Sequence, residues 1–239
     1  MTVDLFIPCF IDQIYPQTGF SVVKILEKLG VEVNYNEKQT CCGQVSFNSG
    51  FWDDAKSIGE KFIKEFNTGR PVVVPSASCA GYVRNYFGEL FHNTSLHLEY
   101  KQLQKNIFEL TDYIVNVLGV TDLGAVFEHK VTYHDSCAAL REYGLNDEPR
   151  QLLAKVRGLE LVEMKENDVC CGFGGTFAVK NEPISAAMAR QKVMHAMETG
   201  ADFIVSTDAS CLMHQEGFIR KNNLSIQVIH IADLLASGW

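Results

Sequence analysis

Thr40-Cys41-Cys42-Gly43-Gln44 and Val169-Cys170-Cys171-Gly172-Phe173 are the two stretches on which the reading of this chain turns. Each adjacent-cysteine pair is framed by two further cysteines at nearly the same distances. The first set runs Cys9, Cys41, Cys42, Cys79, in steps of 32, 1 and 37 residues; the second runs Cys137, Cys170, Cys171, Cys211, in steps of 33, 1 and 40. All 8 cysteines are used, and equivalent ones lie 128 to 132 residues apart. One four-cysteine site is therefore written twice. Four thiolates suit a tetrahedral zinc or a cubane iron–sulfur cluster, so both sets are expected to bind metal. A lone cysteine is more often a small core residue, but eight in register are not explained that way.

The repeat extends beyond the cysteines, as a duplicated domain requires. Strand-like apolar residues precede Cys9 (Val3, Leu5, Ile7) and Cys137 (Val131, Tyr133). Gly30-Val31-Glu32-Val33 matches Gly158-Leu159-Glu160-Leu161-Val162, and Val72-Val73-Val74 matches Phe203-Ile204-Val205. Each of the latter pair runs on to an identical Ala-Ser-Cys, at 77–79 and 209–211. Leu110-Thr111-Asp112-Tyr113-Ile114 answers Ile231-Ala232-Asp233-Leu234-Leu235. Helical periodicity fills residues 20–29, 53–66, 149–156 and 183–198, with Met188, Val193, Met194 and Met197 of the last expected in the core. Strands alternating with helices predict an α/β fold: two tandem pseudo-symmetric domains, residues 1–125 and 126–239, each a small, mostly parallel sheet flanked by helices. No Pro- or Ser-rich linker separates them, so direct packing about a pseudo-two-fold axis is expected. In such sheets ligands gather at the carboxyl ends of strands, where these cysteines fall.

Composition narrows the function. A net charge of −8 and a pI near 5.4 argue against nucleic acid or an anionic membrane as partner. No apolar run reaches the roughly 20 residues of a membrane span. Met1-Thr2-Val3-Asp4 lacks the basic start of a signal peptide, and Pro8 and Asp12 interrupt the apolar stretch after it. A cytoplasmic setting with reduced thiols is expected in place of disulfides.

Glycine after each cysteine pair tolerates positive φ and lets backbone amides approach sulfur; the second repeat adds Gly174 and Gly175. Structural zinc sites more often use Cys-x-x-Cys turns, absent here, which favours an iron–sulfur cluster and leaves zinc open at one or both sites. His134 could donate to a cluster sulfur or serve as a structural histidine. Arg141, Arg150, Lys180 and Arg190 could offset thiolate charge or form a solvated face. Neither a Walker loop nor a G-x-G-x-x-G register occurs.

The duplicated Cys-x31–32-Cys-Cys-Gly pattern with a downstream cysteine resembles the cysteine-rich, or CCG, domain family, which includes a component of heterodisulfide reductase. The resemblance covers essentially the whole chain. Glu37-Lys38-Gln39-Thr40-Cys41-Cys42-Gly43-Gln44, Tyr133-His134-Asp135-Ser136-Cys137 and Glu148-Pro149-Arg150 look most like its lactate-utilisation branch. It implies an iron–sulfur electron-transfer subunit of a multi-component L-lactate dehydrogenase, working with other iron–sulfur subunits and without independent activity. The implied cofactor is a [4Fe–4S] cluster on Cys9, Cys41, Cys42 and Cys79 and on Cys137, Cys170, Cys171 and Cys211. A zinc-stabilised scaffold and a thiol–disulfide reductase are the alternatives. One departure stands out: the fuller family motif ends in Cys-x-x-Cys, and the earlier cysteine of that pair is Ser76 in one repeat and Asp208 in the other. Both are candidates for oxygen ligands, acceptors near the cluster, or plain turn residues.

Overall fold

Short runs, most of them β-branched and apolar, build eight strands in the computed structural model, which describes residues 1–239. The first half contributes β1 (Thr2–Leu5), β2 (Glu32–Tyr35), β3 (Val72–Val74) and β4 (Ile107–Glu109). The second contributes β5 (Lys130–Tyr133), β6 (Glu160–Leu161), β7 (Phe203–Ser206) and β8 (Gln227–His230). Every pairing is parallel, and the sheet orders β2-β1-β3-β4 and β6-β5-β7-β8 are the same topology twice. Parallel strands need crossovers, and helices supply them. In chain order they are α1 (Cys9–Ile14), α2 (Pro16–Lys28), α3 (Gln44–Asn48), α4 (Trp52–Phe66), α5 (Ala77–Phe91), α6 (His97–Asn106) and α7 (Leu110–Asp112) in the first half. The second has a π-helical turn (Ala138–Tyr143), then α8 (Glu148–Leu153), α9 (Thr176–Lys180), α10 (Glu182–Glu198), α11 (Ala209–Lys221) and α12 (Ile231–Leu235). The α/β architecture expected from the alternation of patterns is the observed one.

The four helical segments read from periodicity all exist, with ends displaced by a few residues: α2, α4, α8 and α10. Pro183 stands in the first turn of α10, where its missing amide has no intrahelical partner to lose. The expectation for the face of α10 needs correction. Val193 is fully buried, but Met194 is 41% exposed.

The halves share one interior. A core of 26 buried residues combines Val3, Leu5, Ile25 and Val31 with Val131, Leu152, Ile231 and Leu234. Contacts between halves are reciprocal, as a two-fold relation requires. Helix α5 packs on the π-helical turn that follows Cys137, and α11 packs on α1, which starts at Cys9; α12 packs on α2, and α7 on α8. Polar links reinforce this: Thr18 donates to Asp233 at 2.6 Å and Tyr15 to Glu216 at 2.7 Å.

Candidate metal centre

In each sheet the chain leaves the first strand in one direction and the third strand in the other, so the crevice between β1 and β3, and between β5 and β7, is the topological switch point. Cys9 opens α1 just after β1, and Cys79 is the third residue of α5 just after β3. Cys41 and Cys42 arrive from the loop after β2. The second half repeats the plan with Cys137 after β5, Cys211 in the first turn of α11, and Cys170 and Cys171 in the loop after β6. At the start of α1 the Phe10 amide donates to the Cys9 sulfur, while the Cys79 amide in the first turn of α5 is taken by Ser76 Oγ.

The glycines act as their positions imply. Gly43 and Gly172 have φ of 93° and 94°, which bends the loop back so that their amides donate to Cys41 Sγ at 3.3 Å and Cys170 Sγ at 3.4 Å. All eight cysteines are free thiols. Within each set the sulfurs form a contiguous chain, first to second to third to fourth, with Cys137 and Cys170 3.8 Å apart. Cys41 is drawn down to about 2 by hydrogen bonds from Cys42 and Cys9, then from the Gly43 amide. Cys170 is drawn down to about 2 by Cys137, Cys171 and the Gly172 amide. Their neighbours move the other way: Cys42 and Cys171 are pushed up, chiefly by Cys41 and Cys170 respectively. Each cluster of sulfurs thus holds negative charge at one position and disfavours it at the two thiols beside that one, a conflict that a bound cation relieves.

Both sets open onto one cavity of about 180 Å³, lined by all eight cysteines. Between them stand Ser76 and Asp208, the two positions where the fuller motif has cysteine. They face each other. Ser76 Oγ donates to Asp208 Oδ1 at 2.9 Å, the Ser78 amide donates to the same oxygen at 3.1 Å, and Ser136 Oγ donates to Oδ2. Ser76 also caps α5 through the Cys79 amide. The pair links the halves within the cavity that both sulfur sets line, with the Asp208 carboxylate accepting from three donors.

The other candidates separate. His134 is wholly buried; a ring nitrogen lies within 4.8 Å of the sulfurs of Cys171 and Cys211, and although the Asn167 backbone is beside the ring, neither nitrogen makes a hydrogen bond of good geometry. Burial, and then the charge of Lys192, pushes His134 down to about 3, so the imidazole is neutral. A buried imidazole without partners is costly unless the site it faces completes its bonding. The soft sulfur set and this orphaned donor together fit a thiophilic metal or cluster. Arg150 is committed elsewhere, to Asp135 at 2.7 and 2.9 Å and to Glu163. Arg141 donates to the Asp168 carbonyl, and Lys180 and Arg190 are exposed and form no ion pair. The basic residue that does approach the second set is Lys192, buried on α10, with its ammonium on the carbonyls of Glu166 and Asn167. Within Arg190-Gln191-Lys192 it looks like one more solvent-facing charge. Aligning the repeats exposes it, because Phe62 stands at the matching place.

A match to the cysteine-rich domain, CCG, covers residues 3–84 and 131–215, taking in all eight cysteines and most of both sheets. The chain belongs to the CCG cysteine-rich domain family. This CCG protein is 43% identical over 239 residues to "Lactate utilization protein A 2" of Bacillus cereus (strain 03BB102), covering 100% of this chain and 99% of that one. It is 40% identical over 235 residues to "Lactate utilization protein A" of Oceanobacillus iheyensis, covering 98% and 96%. Among solved structures, a hypothetical protein from Helicobacter pylori superposes with a TM-score of 0.63 at 14% identity, over 98% of this chain and 48% of that one. The chain spans about half of that structure, which speaks for the fold alone. The family and the clustered cysteines mark a metal- or cluster-binding site, and no helix is long and apolar enough to cross a membrane.

Proposed function

We propose that this protein is the iron–sulfur electron-transfer component of a multi-component system that oxidises L-lactate to pyruvate. Cys9, Cys41, Cys42 and Cys79 would hold one centre and Cys137, Cys170, Cys171 and Cys211 the other, each a [4Fe–4S] cluster. Such a centre, when bound, accepts and releases single electrons. The observation that carries the reading is the pair of four-sulfur sets on one cavity, in a chain 43% identical from end to end to a protein named for lactate utilisation. The protein's own contribution is to set the four sulfurs at the switch points, to keep Cys41 and Cys170 as thiolates, and to aim amides at them.

Lactate itself is better held by a partner. Apart from the thiols, the ionisable groups lining the cavity are Glu142 and Asp208, both acidic, and no Lys, Arg or His joins them. A substrate carboxylate would meet like charge and no cation. Partners carrying further iron–sulfur centres and the lactate site complete the system.

The test is anaerobic purification with iron, sulfide and zinc analysis. Iron and acid-labile sulfide are expected, and Cys170→Ser or Cys171→Ser should lower the iron content, since a hydroxyl poorly replaces a soft thiolate. The isolated chain should not turn over lactate with an artificial acceptor, and adding its iron–sulfur partners should restore oxidation. Zinc at both sites with no sulfide overturns the reading in favour of a scaffold. Steady lactate oxidation by the chain alone overturns the division of labour.

A further inference from the structure

The two sulfur sets are copies in their ligands but not in what stands behind them. The strand register fixes one correspondence: the Phe6 amide donates to Val73 O at 3.0 Å, and the His134 amide donates to Val205 O at 2.8 Å, at the same place in each sheet. The helix register fixes a second. Gly43 backs onto Ala55 O and Ile58, and Gly172 backs onto Ser185 O and Met188; seven residues beyond Ala55 is Phe62, and seven beyond Ser185 is Lys192. In the first half the pair is two phenyl rings packed edge to face, 4.8 Å between centroids. In the second it is an imidazole and an ammonium.

We propose that Lys192 and His134 make the second site the electron-accepting one of the two, so that an electron entering the protein through the first site comes to rest at the second. The proposal rests on the electron-transfer reading above. Lys192, 2% exposed, is the one buried lysine or arginine in the chain. A small cleft behind the second set brings it together with Cys170 and Met188. Its ammonium donates to two backbone carbonyls, the bonding of a retained cation; burial pulls its pKa down, while Cys171, Asp168, Glu166 and Asp135 around it act the other way. A cation held in a dry setting stabilises added negative charge far more than one in water. Hydrogen-bond donors to sulfur act in the same direction, and His134, with a ring nitrogen within 4.8 Å of the Cys171 and Cys211 sulfurs, brings an N–H where Phe6 has none.

Other charges do not reverse the order. Lys61 lies near the first loop, donating to Thr40 Oγ1 at 3.0 Å, but its side chain is 42% exposed and water screens it. Asp135, near the second set, is neutralised by the two bonds from Arg150. Asp208 opposes Lys192, yet its carboxylate is shared among three donors from both halves. The step is a one-electron transfer: the reduced centre at the first set is oxidised, and the oxidised centre at the second set is reduced.

The experiment uses the full chain reconstituted anaerobically with iron and sulfide, with Cys171→Ala to leave the first site alone and Cys42→Ala to leave the second alone. Each is titrated with dithionite against mediators and followed by EPR. The second site is expected to be reduced with an equilibrium constant at least tenfold larger, about 59 mV for a one-electron couple. Lys192→Met should remove most of that advantage with iron content unchanged, and Lys192→Arg should keep it. If Lys192→Met does not fold, the comparison of the two single-site proteins decides the order by itself. Two redox-active centres of equal potential, or a second site that is harder to reduce, overturn this inference and leave the electron-transfer reading intact. A chain holding zinc and no sulfide overturns both.

Discussion

Asp208→Ala should weaken the protein strongly, by an amount set by the hydrogen bonds its carboxylate accepts. The carboxylate is 1% exposed and accepts from Ser76 Oγ, Ser136 Oγ and the Ser78 amide. Truncation leaves those three donors facing an apolar gap. A hydrogen bond to a charged group contributes about 1.5–3 kcal/mol, and orphaning a buried donor costs about 1–3 kcal/mol. Against this stands the cost of burying the charge, which alanine removes. The balance resembles breaking a buried ion pair, about 3–5 kcal/mol. Asp208→Asn keeps one carbonyl oxygen for Ser76 and Ser78. Its amide can donate to Ser136, whose hydroxyl also accepts from the Ala139 amide at 3.1 Å. That variant should cost no more than about 1 kcal/mol. Urea unfolding of the metal-free chain measures both. Equal losses for Asn and Ala, or a loss below about 1 kcal/mol for Ala, would show that the contact between Ser76 and Asp208 does not hold the halves together.

Gly172→Ala should destabilise more than Gly43→Ala, although both have φ near 94° and 93°: the new Cβ would meet Met188 Cβ at 2.7 Å and Ser185 O at 2.8 Å in one case, and Ala55 O at 3.2 Å in the other. Left-handed backbone costs about 1–2 kcal/mol and overpacking about 1–3 kcal/mol more, read from denaturation midpoints; a reversed order would refute the packing argument. Glu109 is fully buried, and burial, the largest cause, raises it from 4.5 to about 8. A raised folded-state pKa means its contribution is intact below about 4.5 and declines as pH rises toward 8, on the order of 5 kcal/mol in all; Glu109→Gln should flatten the stability profile in that window, and an unchanged slope would exclude the assignment. Stripping bound metal with a chelator should lower the melting temperature, since metal binds only the assembled sulfur sets; an unchanged temperature would place the metal elsewhere.

The sequence exposes most of the site because a metal set demands particular residues at particular spacings, and the duplication doubles that signal. Strands such as Val72-Val73-Val74 announce themselves by unbroken β-branched residues. Ile107-Phe108-Glu109 does not: β4 follows α6 directly, with Asn106 the last helical residue, so no glycine or proline marks the change. β8 sits at the open edge of its sheet and carries polar Gln227 and His230 at its ends. Helices α5 and α11 begin at the Ala-Ser-Cys motifs, and their mix of aromatic and polar residues hides the helical period. The contact between Ser76 and Asp208, 132 residues apart, has no local signature, because it depends on how one half is laid on the other. Lys192 is concealed for a different reason: local composition resembles a surface, and only comparison with Phe62 reveals an interior position.

The shared interior also constrains how the chain is made. Residues 231–236 complete a core that residues 3–31 begin. A ribosome adding about 5–20 residues per second must therefore extend the chain by some two hundred residues, about 10–40 s, before that surface can close. Throughout that time Val3, Leu5, Ile25 and Leu26 remain short of their final neighbours, with open strand edges beside them. Synthesis, not the finished fold, is then the stage at which this surface is most open to wrong contacts.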